Sequence, residues 1–124
     1  MMKQSLTYAL LYVNDPKKSE KLYSQLLGVN AVESAPAFVL FVMPNGMKLG
    51  LWKRDTVKPA VTVQPGASEI CFTADDVDTT YQEWKKIGAN ITQEPTDMDF
   101  GRTFLAVDPD GHRIRVFKLA ENPK

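Results

Sequence analysis

The sequence predicts an α+β fold made of two copies of a strand–helix–strand–strand–strand (βαβββ) unit. Three observations lead there. Two amphipathic helical stretches each end on a glycine, Gly28 and Gly88, sixty residues apart. A tight-turn signal recurs as Pro44-Asn45-Gly46 and Pro109-Asp110-Gly111, sixty-five residues apart. Around these marks the apolar residues alternate with the two-residue period of strands. One such half is too small to bury both faces of its sheet, so pairing of halves is the expected remedy. Helices on the outer side of each sheet would leave the opposite faces as a concave mixed sheet, a natural place for a ligand.

Each element has its own justification. Gln4 to Val13 alternates, with Thr7, Ala9, Leu11 and Val13 on one face and Tyr8, Leu10 and Tyr12 on the other. Asp15 suits an N-cap and Pro16 the first helical position, where a missing N–H costs nothing. Leu22, Tyr23, Leu26 and Leu27 follow at helical spacing and Gly28 suits a left-handed C-cap, giving a helix over 16–27. Val32-Glu33-Ser34 reads as a short strand and Phe38 to Val42 as a fully buried one. After the turn, Met47 to Lys53 returns antiparallel. In the second half Glu69 to Ala74 is a strand, and Asp75-Asp76 caps a helix carrying Val77, Tyr81, Trp84 and Ile87. Ile91 falls in a short strand ending before Glu94-Pro95, followed by a loop from Thr96 to Gly101. Arg102 to Val107 and Ile114 to Lys118 are the closing strands, and Glu121 to Lys124 reads as a frayed tail.

With 124 residues, the chain is expected to be a single domain over 1–124: repeat one about 5–54, a connecting loop 55–66 with two prolines, and repeat two about 67–119. Fifteen basic and fifteen acidic side chains cancel, which argues against a nucleic-acid or anionic-membrane partner. The charges are unevenly placed, eight basic against four acidic residues in 1–62 and seven against eleven in 63–124. One cysteine, Cys71, cannot form an internal disulfide. With no long apolar run and no signal-like N-terminus, the sequence reads as a cytoplasmic protein.

Leu11-Tyr12-Val13-Asn14-Asp15 entering the first helix, Leu26-Leu27-Gly28 leaving it, and Asp108-Pro109-Asp110-Gly111-His112 before the last strand resemble the vicinal oxygen chelate, or glyoxalase/bleomycin-resistance/dioxygenase, superfamily. The resemblance covers about residues 5 to 119. Phe100-Gly101-Arg102-Thr103-Phe104-Leu105, together with Leu51-Trp52 and Ser68-Glu69-Ile70, is similar to the branch that includes phenazine-antibiotic resistance proteins. The superfamily contains isomerases, dioxygenases, thiol transferases and non-catalytic drug-binding proteins, so the fold leaves function open.

The resemblance implies up to four metal-ligand positions on the groove side. In this sequence the first-strand position falls on Tyr8, the fifth-strand position on Glu69 and the eighth-strand position on Arg115. The fourth-strand position lies near Leu49 to Leu51, where no ligand-type side chain occurs. Only Glu69 could coordinate a cation, and Arg115 brings a fixed positive charge. No metal, no cofactor and no catalytic residue is therefore expected. His112, the only histidine, reads as a turn residue bonded to a loop, on the face of Ile114 and Val116. Cys71 reads as a buried structural thiol.

Alternation places Tyr8, Leu10 and Tyr12, then Glu69, Cys71 and Thr73, then Arg113, Arg115 and Phe117 on the inner faces, with Trp52 projecting from the fourth strand. Flat aromatic ligands stack on such rings for about 0.5–1.5 kcal/mol beyond burial. The candidate ligand-binding residues are Trp52, Tyr8, Tyr12, Glu69, Arg102, Arg115 and Phe117, with Arg102 as a partner for a ligand carboxylate. Glu69 and Arg115 are expected to form an ion pair. The sequence thus points to a homodimer that sequesters a planar aromatic molecule, such as a phenazine-like antibiotic or metabolite. The alternative is a metal-dependent lyase, isomerase or dioxygenase of the same superfamily.

Overall fold

The computed structural model describes residues 6–66 and 68–121. The expected strand start at Gln4–Ser5, Ala67 at the opening of repeat two and the end of the tail at 122–124 lie outside them. The elements are β1 (Tyr8–Val13), α1 (Pro16–Leu27), β2 (Glu33–Ser34), β3 (Phe38–Val42), β4 (Lys48–Lys53), β5 (Glu69–Thr73), α2 (Val77–Ile87), β6 (Asn90–Met98), β7 (Gly101–Val107) and β8 (Arg113–Leu119). They form two βαβββ modules, one ending at Pro65 and the other beginning at Gly66. Each module makes its own four-stranded mixed sheet, in the orders β1-β4-β3-β2 and β5-β8-β7-β6.

In the first module β1 runs parallel to β4, and β3 is antiparallel to both β4 and β2. Asp15 caps α1 by accepting from the backbone N–H groups of Lys17 (3.1 Å) and Lys18 (3.4 Å), and Gly28 closes the helix at φ 68°. Pro16, Tyr23 and Leu26 are buried on α1 against a sheet face of Leu11, Val13, Val39, Phe41, Leu49 and Leu51. Burial in β3 is limited to its three central residues, because Phe38 and Val42 point to the uncovered face. The segment after β4 is less loose than expected. Arg54 begins a short 3-10 turn to Thr56, and its guanidinium donates to the carbonyls of Val63 (2.7 Å) and Val61 (3.3 Å).

The second module repeats the plan with β5 parallel to β8. Asp76 caps α2 through the Thr79 N–H (3.1 Å). The core beneath α2 is aromatic: Phe104 of β7 meets Tyr81 and Trp84 edge to face at 5.5 and 5.3 Å between ring centroids.

One strand departs from the sequence reading. Where a short strand and a loop were expected, β6 continues through Glu94-Pro95 to Met98, with register shifts between Ile91 and Gln93 and between Gln93 and Thr96. Pro95 is tolerated because β6 is an edge strand and the missing N–H falls where the ladder is interrupted. The turn into β7 then depends on Gly101, whose φ is 147° and whose missing Cβ leaves room for the Lys118 carbonyl oxygen. Gly101→Ala should lose at least ~2 kcal/mol of stability through backbone strain and this clash, read by urea denaturation.

Candidate functional site

In both modules the parity of the strands decides which side chains the helix covers. The parallel pairings Tyr8 with Lys48 and Glu69 with Arg113 set equivalent registers, so Gly50 corresponds to Arg115 and Trp52 to Phe117. These residues all lie on the faces left uncovered by the helices.

The uncovered face of the first module is apolar and aromatic. Tyr12 and Phe38 both pair with Trp52 across the sheet. The Phe38 and Trp52 rings meet edge to face at 6.3 Å and 88°. Trp52 is half-buried, while Tyr8 and Leu10 remain 44% and 39% exposed. Lys48 Nζ sits 5.6 Å from the centre of the Tyr8 ring, within cation–π range. Gly50 forms the floor: a Cβ there would stand 2.6 Å from Leu10 Cδ2 and 2.9 Å from Phe38 Cζ. The Leu10 side chain and the Phe38 ring close over the backbone because the residue beneath them has no side chain.

The same face of the second module is ionic. Glu69 is held by two arginines: Arg115 Nε donates to its Oε2 and Arg113 Nε lies on its Oε1, each at 2.7 Å. The expected Glu69–Arg115 ion pair is thus present, with Arg113 as a second partner. Arg115 also donates through Nη1 to Thr103 Oγ1 (3.2 Å) and Gln93 Oε1 (3.4 Å). Phe117 meets Phe100 edge to face at 6.2 Å. The Arg115 hydrogen bond, assisted by the charges of both arginines, holds the Glu69 carboxyl below its ordinary value, against the opposing pull of partial burial.

Two sequence expectations are corrected here. Cys71 is exposed, not buried: it shares the uncovered face with Glu69, and its Sγ donates to Glu69 Oε2 over 3.9 Å. Partial burial, and then the neighbouring carboxylate, push its thiol pKa up, which keeps it protonated at neutral pH. Arg102 lies on the helix side. Its register partner is Lys118, one step out of phase with Thr103 and Phe117, so its guanidinium turns to α2. There it grips Asp78 at 2.9 and 3.0 Å and Asp97 at 3.0 Å. It is a strap between α2 and β6, and the structure does not bring it to Glu69 and Arg115.

Other readings needed additions. Arg113 is a second partner of Glu69 that alternation places on the inner face, and its two-residue spacing from Arg115 is the sequence signal for it. His112 is buried on the helix side, with Nδ1 2.8 Å from Asp108 Oδ2. Asp108 Oδ1 accepts from the backbone N–H groups of Asp110 and His112, both at 2.9 Å. Asp108, Asp110 and His112 have ligand-type atoms within 4.8 Å of one another. Those Asp108 bonds build the turn into β8.

The donor set at the positions implied for a metal does not suit a divalent ion. Gly50 offers no side chain, Arg115 is a permanent cation, and both oxygens of Glu69 are engaged by guanidinium groups. Among the described residues no helix is long and apolar enough to cross a membrane.

Comparison with known proteins defines the class. Residues 5–116 match the Glyoxalase/Bleomycin resistance protein/Dioxygenase superfamily, and the chain belongs to it. Within that class it is 34% identical over 116 residues to the phenazine antibiotic resistance protein EhpR of Enterobacter agglomerans, covering 89% of this chain and 88% of that protein. It is 30% identical over 122 residues to protein YraH of Bacillus subtilis, covering 88% and 94% of the two chains. Protein ATC0852 of Agrobacterium tumefaciens, solved in solution, is 46% identical with a TM-score of 0.84, covering 95% of this chain and 99% of that one.

The lowered Glu69 pKa gives a signed pH dependence. Its contribution to stability is complete above the unfolded value of 4.5 and is lost as pH falls through the lower folded value. Melting temperatures measured from neutral to acidic pH should show that loss in the wild type. In Glu69→Gln the acid-side drop should be shallower, and the neutral-pH melting temperature lower.

Proposed function

We propose that this protein binds a planar aromatic small molecule of the phenazine type and holds it without turnover, lowering the free concentration of an antibiotic or metabolite. The observation that carries this reading is the uncovered aromatic face around Trp52, where Tyr12 and Phe38 are its register partners on either side and Phe38 and Leu10 close over Gly50. Similarity to a phenazine antibiotic resistance protein over most of both chains supports the choice of ligand class. An apolar wall with few polar anchors suits a flat, largely uncharged ring system. The poor match of Glu69 and Arg115 to a metal argues for holding over Lewis-acid chemistry.

Titration with phenazine, followed by indole fluorescence and calorimetry, tests the reading. Saturable binding is expected, and a panel of divalent cations should leave the melting temperature unmoved. Trp52→Ala should weaken phenazine binding by roughly 1–3 kcal/mol with little change in melting temperature. A collapsed melting temperature with unchanged binding would make Trp52 a packing residue only.

The protein is further proposed to act as a homodimer. Tyr8 and Leu10 stay exposed on a sheet face with no helix over it, and burial in a second copy would remove that apolar surface from water. Sedimentation at tens of micromolar should give a dimer, and a monomer there would count decisively against it.

A further inference from the structure

We infer that the uncovered face of the second module is an anion site built by Arg113 and Arg115, and that the ligand it takes is an aromatic carboxylate. The inference rests on the reading of this protein as a binder of aromatic molecules, with Phe117 of this module's own face taking the ring, and on the geometry of the two arginines for the acid.

The first argument is charge. Two guanidinium groups share one carboxylate, each through Nε at 2.7 Å. The cluster therefore keeps one positive charge in excess. The residues paired with it in register do not cancel that charge: Cys71 lies opposite Arg115 on β5, and Leu105 and Val107 lie opposite Arg115 and Arg113 on β7. Thr103 and Gln93, which Arg115 also contacts, are neutral acceptors. An anion arriving from solution would complete the neutralisation.

The second argument is donor geometry. An arginine carries five N–H donors in a rigid plane. Glu69 lies 2.7 Å from the Nε of both residues, so neither contact uses their Nη groups. Arg115 spends its Nη1 on Thr103 and Gln93, and its side chain is 14% exposed. Arg113 is 52% exposed, and among the described residues only Glu69 engages it. Its Nη groups carry donors that no described residue takes up, and a half-exposed guanidinium of this kind can meet a carboxylate through two parallel hydrogen bonds. Glu69 is a positioning residue in this scheme, since it aims the guanidinium groups without touching the ligand.

The third argument is the neighbouring ring. Phe117 lies two residues beyond Arg115 on the same strand face and is braced edge-on by Phe100. A ring resting on Phe117 carries a carboxyl substituent toward the arginines, because same-face residues on a strand are roughly 6–7 Å apart. A neutral ring would leave those donors unused.

Matched acid and amide probes test this. Phenazine-1-carboxylate should bind the wild type about tenfold or more tighter than phenazine-1-carboxamide in low-salt calorimetry, the scale of one charge-assisted hydrogen-bonded pair. Arg113→Gln should erase that preference while leaving amide binding in place. Arg113→Lys, which restores the charge without the fork, should recover it in part. In parallel, benzoate titrated into 15N-labelled protein should shift the Arg113 Nε–H signal, and benzamide should not. Equal affinity for acid and amide would overturn the anion site while leaving the aromatic reading standing, as would a preference that survives Arg113→Gln. If neither phenazine binds but benzoate still moves the Arg113 signal, the anion site stands and the phenazine reading falls. No response of that signal to benzoate, with no preference for acid, overturns the inference outright.

Discussion

The parallel pairing of the first and last strands of each module is the constraint on which the rest depends. Two parallel neighbours cannot be joined by a hairpin, so the chain must cross over one face of the sheet. In this protein the crossing begins with α1 or α2, and the last three strands return as a meander that brings β4 beside β1 and β8 beside β5. One face of each sheet is thereby filled by a helix. The opposite face is left for side chains whose placement follows from parity alone, because a strand residue and its next-but-one neighbour share a side. Leu49 and Leu51 go under α1, so Lys48, Gly50 and Trp52 must face away. Ile114 and Val116 go under α2, so Arg113, Arg115 and Phe117 must do the same.

This explains what was legible in the sequence. Helix ends were readable because Asp15, Pro16, Gly28, Asp76 and Gly88 act locally, through hydrogen bonds and backbone angles that need no distant partner. Faces of β5 and β8 were readable because apolar residues alternate with polar ones along most of their length, whereas β1 is apolar throughout and its faces followed from strand parity alone. The Glu69–Arg115 pair was readable once parity had placed both on one side. What failed depended on neighbours. Pro95 is a strand breaker by type, yet it is harmless on an edge strand at a register shift, and nothing local says that β6 is an edge. Cys71 was read by residue type, although its parity with Glu69 already put it on the uncovered side. The expectation that Arg102 meets a ligand carboxylate fails because its carboxylate partners, Asp78 on α2 and Asp97 on β6, are distant or weakly patterned in sequence.

The two modules show how far one scaffold can diverge at equivalent positions. Tyr8 and Glu69 match, as do Gly50 and Arg115, and Trp52 and Phe117. The first module uses the absence of a side chain at Gly50 to let Leu10 and Phe38 close over the backbone. The second places its longest cation at the equivalent point and must then supply acceptors for it, which Glu69, Thr103 and Gln93 do. Without those acceptors, a guanidinium only 14% exposed would cost several kcal/mol in lost hydration. The same backbone position therefore serves aromatic packing in one module and an ion-paired cluster in the other.

A guanidinium at a position where the resemblance implied a metal ligand also changes what the sheet can do to a bound oxygen. Guanidinium and metal ion both attract negative charge and both fix direction. A divalent ion in addition accepts an electron pair, which polarises a carbonyl and acidifies bound water. A guanidinium has no vacant orbital; it offers only hydrogen bonds and keeps its protons at any physiological pH. Glu69, the group at this site that could have served as a base, is held ionised below its ordinary range with both oxygens occupied by arginine. Such a carboxylate is a weak proton acceptor. The cluster thus offers an oxygen charge and hydrogen bonds but no Lewis acid, which is in keeping with the proposed retention of a ligand.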